Sequence, residues 1–111
     1  GHPSAPYGLG YMFLSGAGVD RNYKKAFQFF TQAAEQGSAE AQFHLGVMAE
    51  KGYLHRPDHT KAFTHFNIAS HQGHMLAIYN LAMMQLAGHG VPTSCKNALQ
   101  LLKSVAEHGL W

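Results

Sequence analysis

Nine histidines stand among 111 residues, with one cysteine and six acidic residues. Metal chemistry is the first use such a set suggests. Two spacings are ligand-like, His55-x-x-x-His59 and His71-x-x-His74. A closed zinc site needs a tetrahedral set, commonly two such pairs. Pro57 interrupts the first pair and puts it in a loop, and neither pair has a second His and carboxylate set nearby. The histidines therefore read as solvated surface groups, and no metal or other cofactor is expected. Imidazole titrates near neutrality, so pH sensing is the one chemistry they keep open.

Cys95 falls near a helix N-terminus, where a thiolate is favoured. Lys96 and His89 are close in sequence, but a nucleophile also needs a base oriented by a third group. Cys95 reads instead as a small packing residue. Asp20 and Asp58 sit in loops or caps, so no carboxylate pair is set up for acid–base work. Gly8-Leu-Gly10 lies on a helix, and Gly16-x-Gly18 follows a helix rather than a strand, so neither is a phosphate loop. No catalytic residue is expected and the chain reads as a non-enzyme, with a small hydrolase as the remote rival.

The bulk numbers narrow the partners. Hydrophobic residues make up 46%, which favours a packed chain over a disordered one. The net charge is +2 and no basic run occurs, so nucleic acid and anionic membranes are not expected partners. No apolar run approaches the ~20 residues of a membrane span. A lone cysteine forms no internal disulfide. Nothing resembles a targeting segment, so the chain reads as a piece of a longer protein.

The elements that position these residues repeat. Gly37, Gly73 and Gly109 are 36 apart, which divides residues 1–111 into a single block of units 2–37, 38–73 and 74–109. Ala5, Ala41 and Ala77 then align, as do Tyr7, Phe43 and Tyr79. Leu9, Leu45 and Leu81 follow, then Met12, Met48 and Met84. In the second half Ala26, Ala62 and Ala98 align, then Phe27, Phe63 and Leu99, then Phe30, Phe66 and Leu102. A period of this length signals a stacked array. Ala5, Leu9, Met12 and Gly16 step by 4, 3 and 4, one face of a helix, and no run alternates as a strand does. Glycine-rich mid-loops divide each unit, and Asn22, Asp58 and Ser94 are the expected N-caps of the second helices. The unit-closing glycines suit the position just past a helix C-terminus. The fold class is all-α: an α-solenoid of three helix-pair repeats, six antiparallel helices. The aromatic columns are expected to be core rather than a ligand cage. Leu102 is expected to anchor the last helix.

The forms "APYGLGYMFLSGAGVDRNYKKAFQFFTQAAEQG", "AQFHLGVMAEKGYLHRPDHTKAFTHFNIASHQG" and "AIYNLAMMQLAGHGVPTSCKNALQLLKSVAEHG" resemble the Sel-1-like repeat, a relative of the tetratricopeptide repeat. The second unit departs from the pattern, with Gly52-Tyr-Leu-His55 where the others read Gly-x-Gly-Val. Ser94-Cys95 after the last mid-loop and Glu107-His-Gly109-Leu-Trp111 at the close are similar to the eukaryotic Sel-1 homolog branch. That branch comprises luminal adaptors of the Hrd-type ubiquitin ligase of the endoplasmic reticulum (ER). The resemblance implies a protein-interaction scaffold of ER-associated degradation in the ER lumen, within a membrane-anchored parent. Its implied partners are ubiquitin-ligase subunits and misfolded glycoprotein clients. A Sel-1-like signalling scaffold outside the ER is the alternative.

Solenoids bind through positions that do not repeat. In the first helices these are Ser4, Gly8, Tyr11 and Ser15; Glu40, His44, Val47 and Lys51; Leu76, Asn80, Met83 and Ala87. By resemblance this stripe lines the concave side. Tyr11, His44, Val47, Lys51, Asn80 and Met83 are the candidate protein-binding residues. Unit three raises a separate matter. Residues 74–87 are apolar at 11 of 14 positions, against 7 of 14 in 38–51. A helix apolar all round is a buried helix, and one neighbouring repeat is expected to cover only part of it. A homodimer is the expectation, centred on Met75, Leu76, Tyr79 and Leu81, with Gly73 as the hinge of a swap; a following repeat in the parent chain is the alternative cover.

Overall fold

The computed structural model describes residues 4–88 and 95–107. Six helices follow in chain order: α1 Ser4–Ser15, α2 Tyr23–Glu35, α3 Ala39–Lys51, α4 His59–His71, α5 Met75–Ala87 and α6 Cys95–Glu107. The second helices of the three units begin one period apart, and no strand occurs among the described residues. Ser94, the mid-loop His89-Gly90-Val91 and the closing His108-Gly109-Leu-Trp111 lie outside the described residues. So do the side chains of Ser4, Cys95 and Lys96.

Local chemistry sets the helix ends. Asn22 and Asp58 have extended backbones, and their side-chain oxygens accept the N–H groups of Lys25 and Lys61 at 3.0 Å each. At the other end of α2, Ser38 N–H donates to Ala33 O at 3.0 Å and Gly37 N–H to Ala34 O at 3.0 Å. One period on, His74 N–H donates to Ala69 O at 3.1 Å and Gly73 N–H to Ser70 O at 3.0 Å. Gly37 and Gly73 have φ of 94° and 86°, the left-handed closure that glycine enters without strain. The divergent second mid-loop keeps the brace of the first. Asn22 N–H donates to Phe13 O, and Asp58 N–H to Ala49 O, both at 2.8 Å. Tyr53 of the divergent loop stacks on Tyr23 with centroids 4.5 Å apart.

Packing follows the period. Ala26, Phe30 and Ala33 of α2 meet Ala41, Leu45 and Met48 of α3. Ala62, Phe66 and Ala69 of α4 meet Ala77, Leu81 and Met84 of α5 in the same way. Phe30 and Phe66 are fully buried, each contributing roughly 1.5–3 kcal/mol. Within a unit each ring lies over a glycine of the first helix, Gly10 under Phe30 and Gly46 under Phe66. Large contacts join only helices adjacent in sequence, and the body is elongated, 42 × 30 × 23 Å.

Three expectations need correction. Leu9 and Met12 are 42% and 37% exposed, although Leu45, Met48, Leu81 and Met84 are buried. In α3 and α5 that column is covered by α2 and α4, the second helices of the preceding units. Phe27 and Leu99 are 43% and 63% exposed, and of their column only Phe63 packs against the core. Leu102 is only half-buried; Ala98 and Val105 anchor α6 instead. Helix α5 is sandwiched between α4 of the preceding unit and α6 of its own, which bury Ala77, Ile78, Leu81, Ala82 and Met84. Leu76 and Leu86 stay 50% and 40% exposed.

Candidate functional site

The non-repeating stripe of the first helices is not uniformly free. Tyr11 and Lys51 are exposed, and Asn80 and Met83 are half-buried. Val47 turns into the core between α4 and α5. His44 is drawn into a ring cluster. Its imidazole stacks on Phe30 at 5.1 Å and meets Tyr11 and Phe43 edge-on at 5.9 and 5.4 Å. A hydrogen bond of 3.1 Å joins its Nε2 to the Tyr7 hydroxyl. The structure thus brings Tyr11 and His44 together and makes His44 a packing residue as well as a surface one. Of the second candidate set, Leu76 is exposed, Gly73 is exposed, Met75 and Tyr79 are half-buried, and Leu81 lies in the core beside Phe66.

Four histidines are not the solvated groups that the sequence suggested. His44 and His74 are half-buried at the junctions between units, His65 is half-buried between α3 and α4 of unit two, and His59 is half-buried at the start of α4. The His65 Nδ1–H donates to Gln42 Oε1 at 2.8 Å, joining α4 to α3 within unit two. His74 accepts the Ala77 N–H on Nδ1 at 3.2 Å, so it caps α5 where Ser38 caps α3. Phe43 bridges the pair, 4.8 Å from His74. Burial chiefly pushes the His44 pKa down and His74 adds to this, while Glu40 opposes. Burial lowers His74 against the same Glu40. Burial and then Lys61 lower His65. These imidazoles are neutral building blocks. Among the described residues no group of three His, Cys, Asp or Glu is placed to hold a metal ion.

A second surface lies on the side of the second helices, and the sequence did not single it out. A notch between α2 and α4 is floored by Leu45 and Met48 of α3 and closed by Leu54 of the mid-loop. Phe27 stands at its edge. Phe27 follows Ala26 by one residue, about 100° round the helix, so it leaves the Ala26–Phe30–Ala33 face. That adjacency was the available signal, and the recurrence of an apolar column hid it.

The Sel1 repeat family model matches residues 3–38, 39–74 and 76–110. A 46-residue stretch is 46% identical to the ERAD-associated E3 ubiquitin-protein ligase component HRD3B of Arabidopsis thaliana, covering 40% of this chain and 8% of that protein. Among solved structures, a Sel1 repeat protein from Oxalobacter formigenes superposes with a TM-score of 0.91 and 36% identity, over 96% of this chain and 44% of that one. The protective antigen c5321 of uropathogenic Escherichia coli gives 0.92 and 28%, over 98% and 23%. Cysteine-rich protein B of Helicobacter pylori gives 0.80 and 26%, over 96% and 83%. The chain therefore spans under a tenth of the plant protein's length and under half of the Oxalobacter protein's.

Proposed function

The chain belongs to the Sel1 repeat family, and on that premise we propose that it is the protein-binding block of an adaptor in ER-associated degradation. Sel1 repeat proteins act as protein-interaction scaffolds, and their helical solenoid is typically non-enzymatic. The finer reading places this block in the ER lumen, engaging ubiquitin-ligase subunits or misfolded glycoprotein clients. The observation that carries it is the stretch 46% identical to HRD3B, and the Ser94-Cys95 and Gly109-Leu-Trp111 signatures agree with it. Tyr11, Lys51, Asn80 and Met83 are the contacts that the stripe offers. His44 holds Tyr11 in place. A second copy of the chain, docked on Met75, Leu76 and Tyr79, completes the proposed assembly. The 36% identity to a bacterial Sel1 repeat protein over 96% of the chain supports the second reading, a scaffold outside the ER.

The test replaces Tyr11, Lys51 and Met83 by Ala in the parent protein. The half-life of a misfolded luminal glycoprotein and co-purification with the ligase are then measured. The expected result is a longer-lived reporter and weaker ligase association, with the helical circular dichroism unchanged. Turnover unaffected even by deletion of residues 1–111 would remove the degradation role. Association unaffected by the triple substitution would remove the stripe.

A further inference from the structure

The notch on the second-helix side has a volume of about 290 Å³. Small-molecule sites run roughly 300–1,000 Å³, so its size suits one large side chain better than a cofactor. Its interior is apolar: Phe27, Leu45, Met48 and Leu54. Its rim is cationic, with Arg56 from the mid-loop and Lys61 from α4. Asp58 is the one carboxylate that lines it, and its Oδ1 is engaged as the N-cap of α4, accepting the Lys61 N–H at 3.0 Å. Neither Arg56 nor Lys61 forms an ion pair among the described residues. The charge of Lys61 reaches the notch wall, where it adds to burial in lowering the pKa of His65.

The next junction supplies a comparison within the chain. One period on, the notch between α4 and α6 keeps Phe63 at its edge and Leu81 on its floor. Asn97 replaces Lys61, and Asn67, Gln85 and Gln100 surround it. The cavity thus recurs with the repeat, whereas among the described residues the Lys61 position is the neutral Asn97 at the second junction.

We propose that the notch between α2 and α4 docks an acidic segment of a partner protein, which inserts one leucine- or aromatic-sized side chain beside Phe27 and lays carboxylates against Arg56 and Lys61. The apolar insertion supplies most of the affinity. The exposed ion pairs add little energy but fix register and select the acidic partner. This inference rests on the scaffold reading but on neither the compartment nor the first-helix stripe.

The test uses fluorescence anisotropy of the intact chain with a labelled peptide, a Leu-Phe pair flanked by glutamates. Amide shifts are followed by nuclear magnetic resonance in parallel. Saturable binding is expected, with shifts at Phe27, Leu54 and Thr64. R56E/K61E is expected to weaken it at least about tenfold and to bind the lysine-flanked version of the same peptide instead. Both side chains are exposed and the Asp58 cap uses the backbone of residue 61, so the variant should keep its circular dichroism. Phe27→Ser, also at an exposed position, gives an independent loss. Y11A/M83A should bind as the unaltered chain does. Equal binding by R56E/K61E, equal binding of a glutamate peptide lacking the Leu-Phe pair, or shifts centred on Tyr11 and Met83 would each overturn the proposal. None of these would touch the scaffold reading, whose own test is glycoprotein turnover in the parent protein.

Discussion

A methyl group distinguishes the third unit from the first two. A Cβ on Gly10 would lie 2.8 Å from Phe30 Cδ1, and one on Gly46 would lie 2.6 Å from Phe66 Cε1. Unit three has Ala82 in that column and Leu102 in place of the ring, so a larger floor goes with a smaller lid. Gly46→Ala gains up to ~1 kcal/mol in helix propensity, but overpacking against a fully buried ring costs ~1–3 kcal/mol. The clash should win. Gly46→Ala is expected to lower stability in urea, and adding Phe66→Leu is expected to recover part of the loss relative to the sum of the single changes. An additive cycle would show that the two positions do not meet. Both columns were legible as repeats, but their coupling was not: the partners are 20 residues apart on different helices, and only the ring's position over the glycine joins them. Phe27 shows the converse. Its column recurs, yet recurrence reports the shape of the unit and not burial.

Helix ends divide in the same way between the readable and the hidden. Asn22 and Asp58 are oxygen-bearing caps four residues before the Ala26 and Ala62 that open the apolar stripes, so sequence alone placed them. His74 was hidden because imidazole is outside the usual capping set, and the equivalent in unit two is Ser38. Its cap makes α5 pH-sensitive, since the Nδ1 lone pair that holds Ala77 N–H is the one a proton would take. His44, His65 and His74 all have folded pKa values below the ordinary 6.5. The unfolded chain therefore binds more protons once the pH drops below 6.5, and stability falls with it. Their contribution is fully present above that value and is lost as the pH falls through the lowered folded values; Glu40 moderates His44 and His74 without reversing them. The expected result is a melting temperature that declines between about pH 7 and pH 5, and a shallower decline for His74→Ser, which keeps a cap without a titrating group. A profile in His74→Ser as steep as that of the unaltered chain would remove the cap from the explanation.

Across the whole molecule, stability is a chain of neighbour contacts. Helices α2 to α5 each pack on two others, whereas α1 and α6 each rest mainly on one. In such arrays stability is nearly a sum of unit and interface terms, so amide exchange should be slowest in α3 and α4 and fastest in α1 and α6. Uniform protection would mean that the three units open as one. The same linear logic bears on self-association. The composition of α5 announced a helix covered on several sides. It could not reveal that α6 of the same unit supplies much of that cover, because contact between paired helices depends on their crossing and not on their sequence spacing. What remains open is narrower: Leu76 is 50% exposed and Leu86 40%, beside half-buried Met75 and Tyr79. Leu81 already packs on Phe66, so in a twin it would serve only if Gly73 let the last unit swing and rebuild that contact on the partner's α4. Leu76 is the better centre. Light scattering after size exclusion is expected to give about twice the 12.2 kDa chain mass at high micromolar concentration. Leu76→Lys sits at a half-exposed position, where the folding cost should stay near the ±0.5 kcal/mol of surface changes. It is expected to return the chain to monomer with its circular dichroism intact. A monodisperse monomer of the unaltered chain would remove the dimer and leave Leu76 and Leu86 as surface that the solenoid alone exposes.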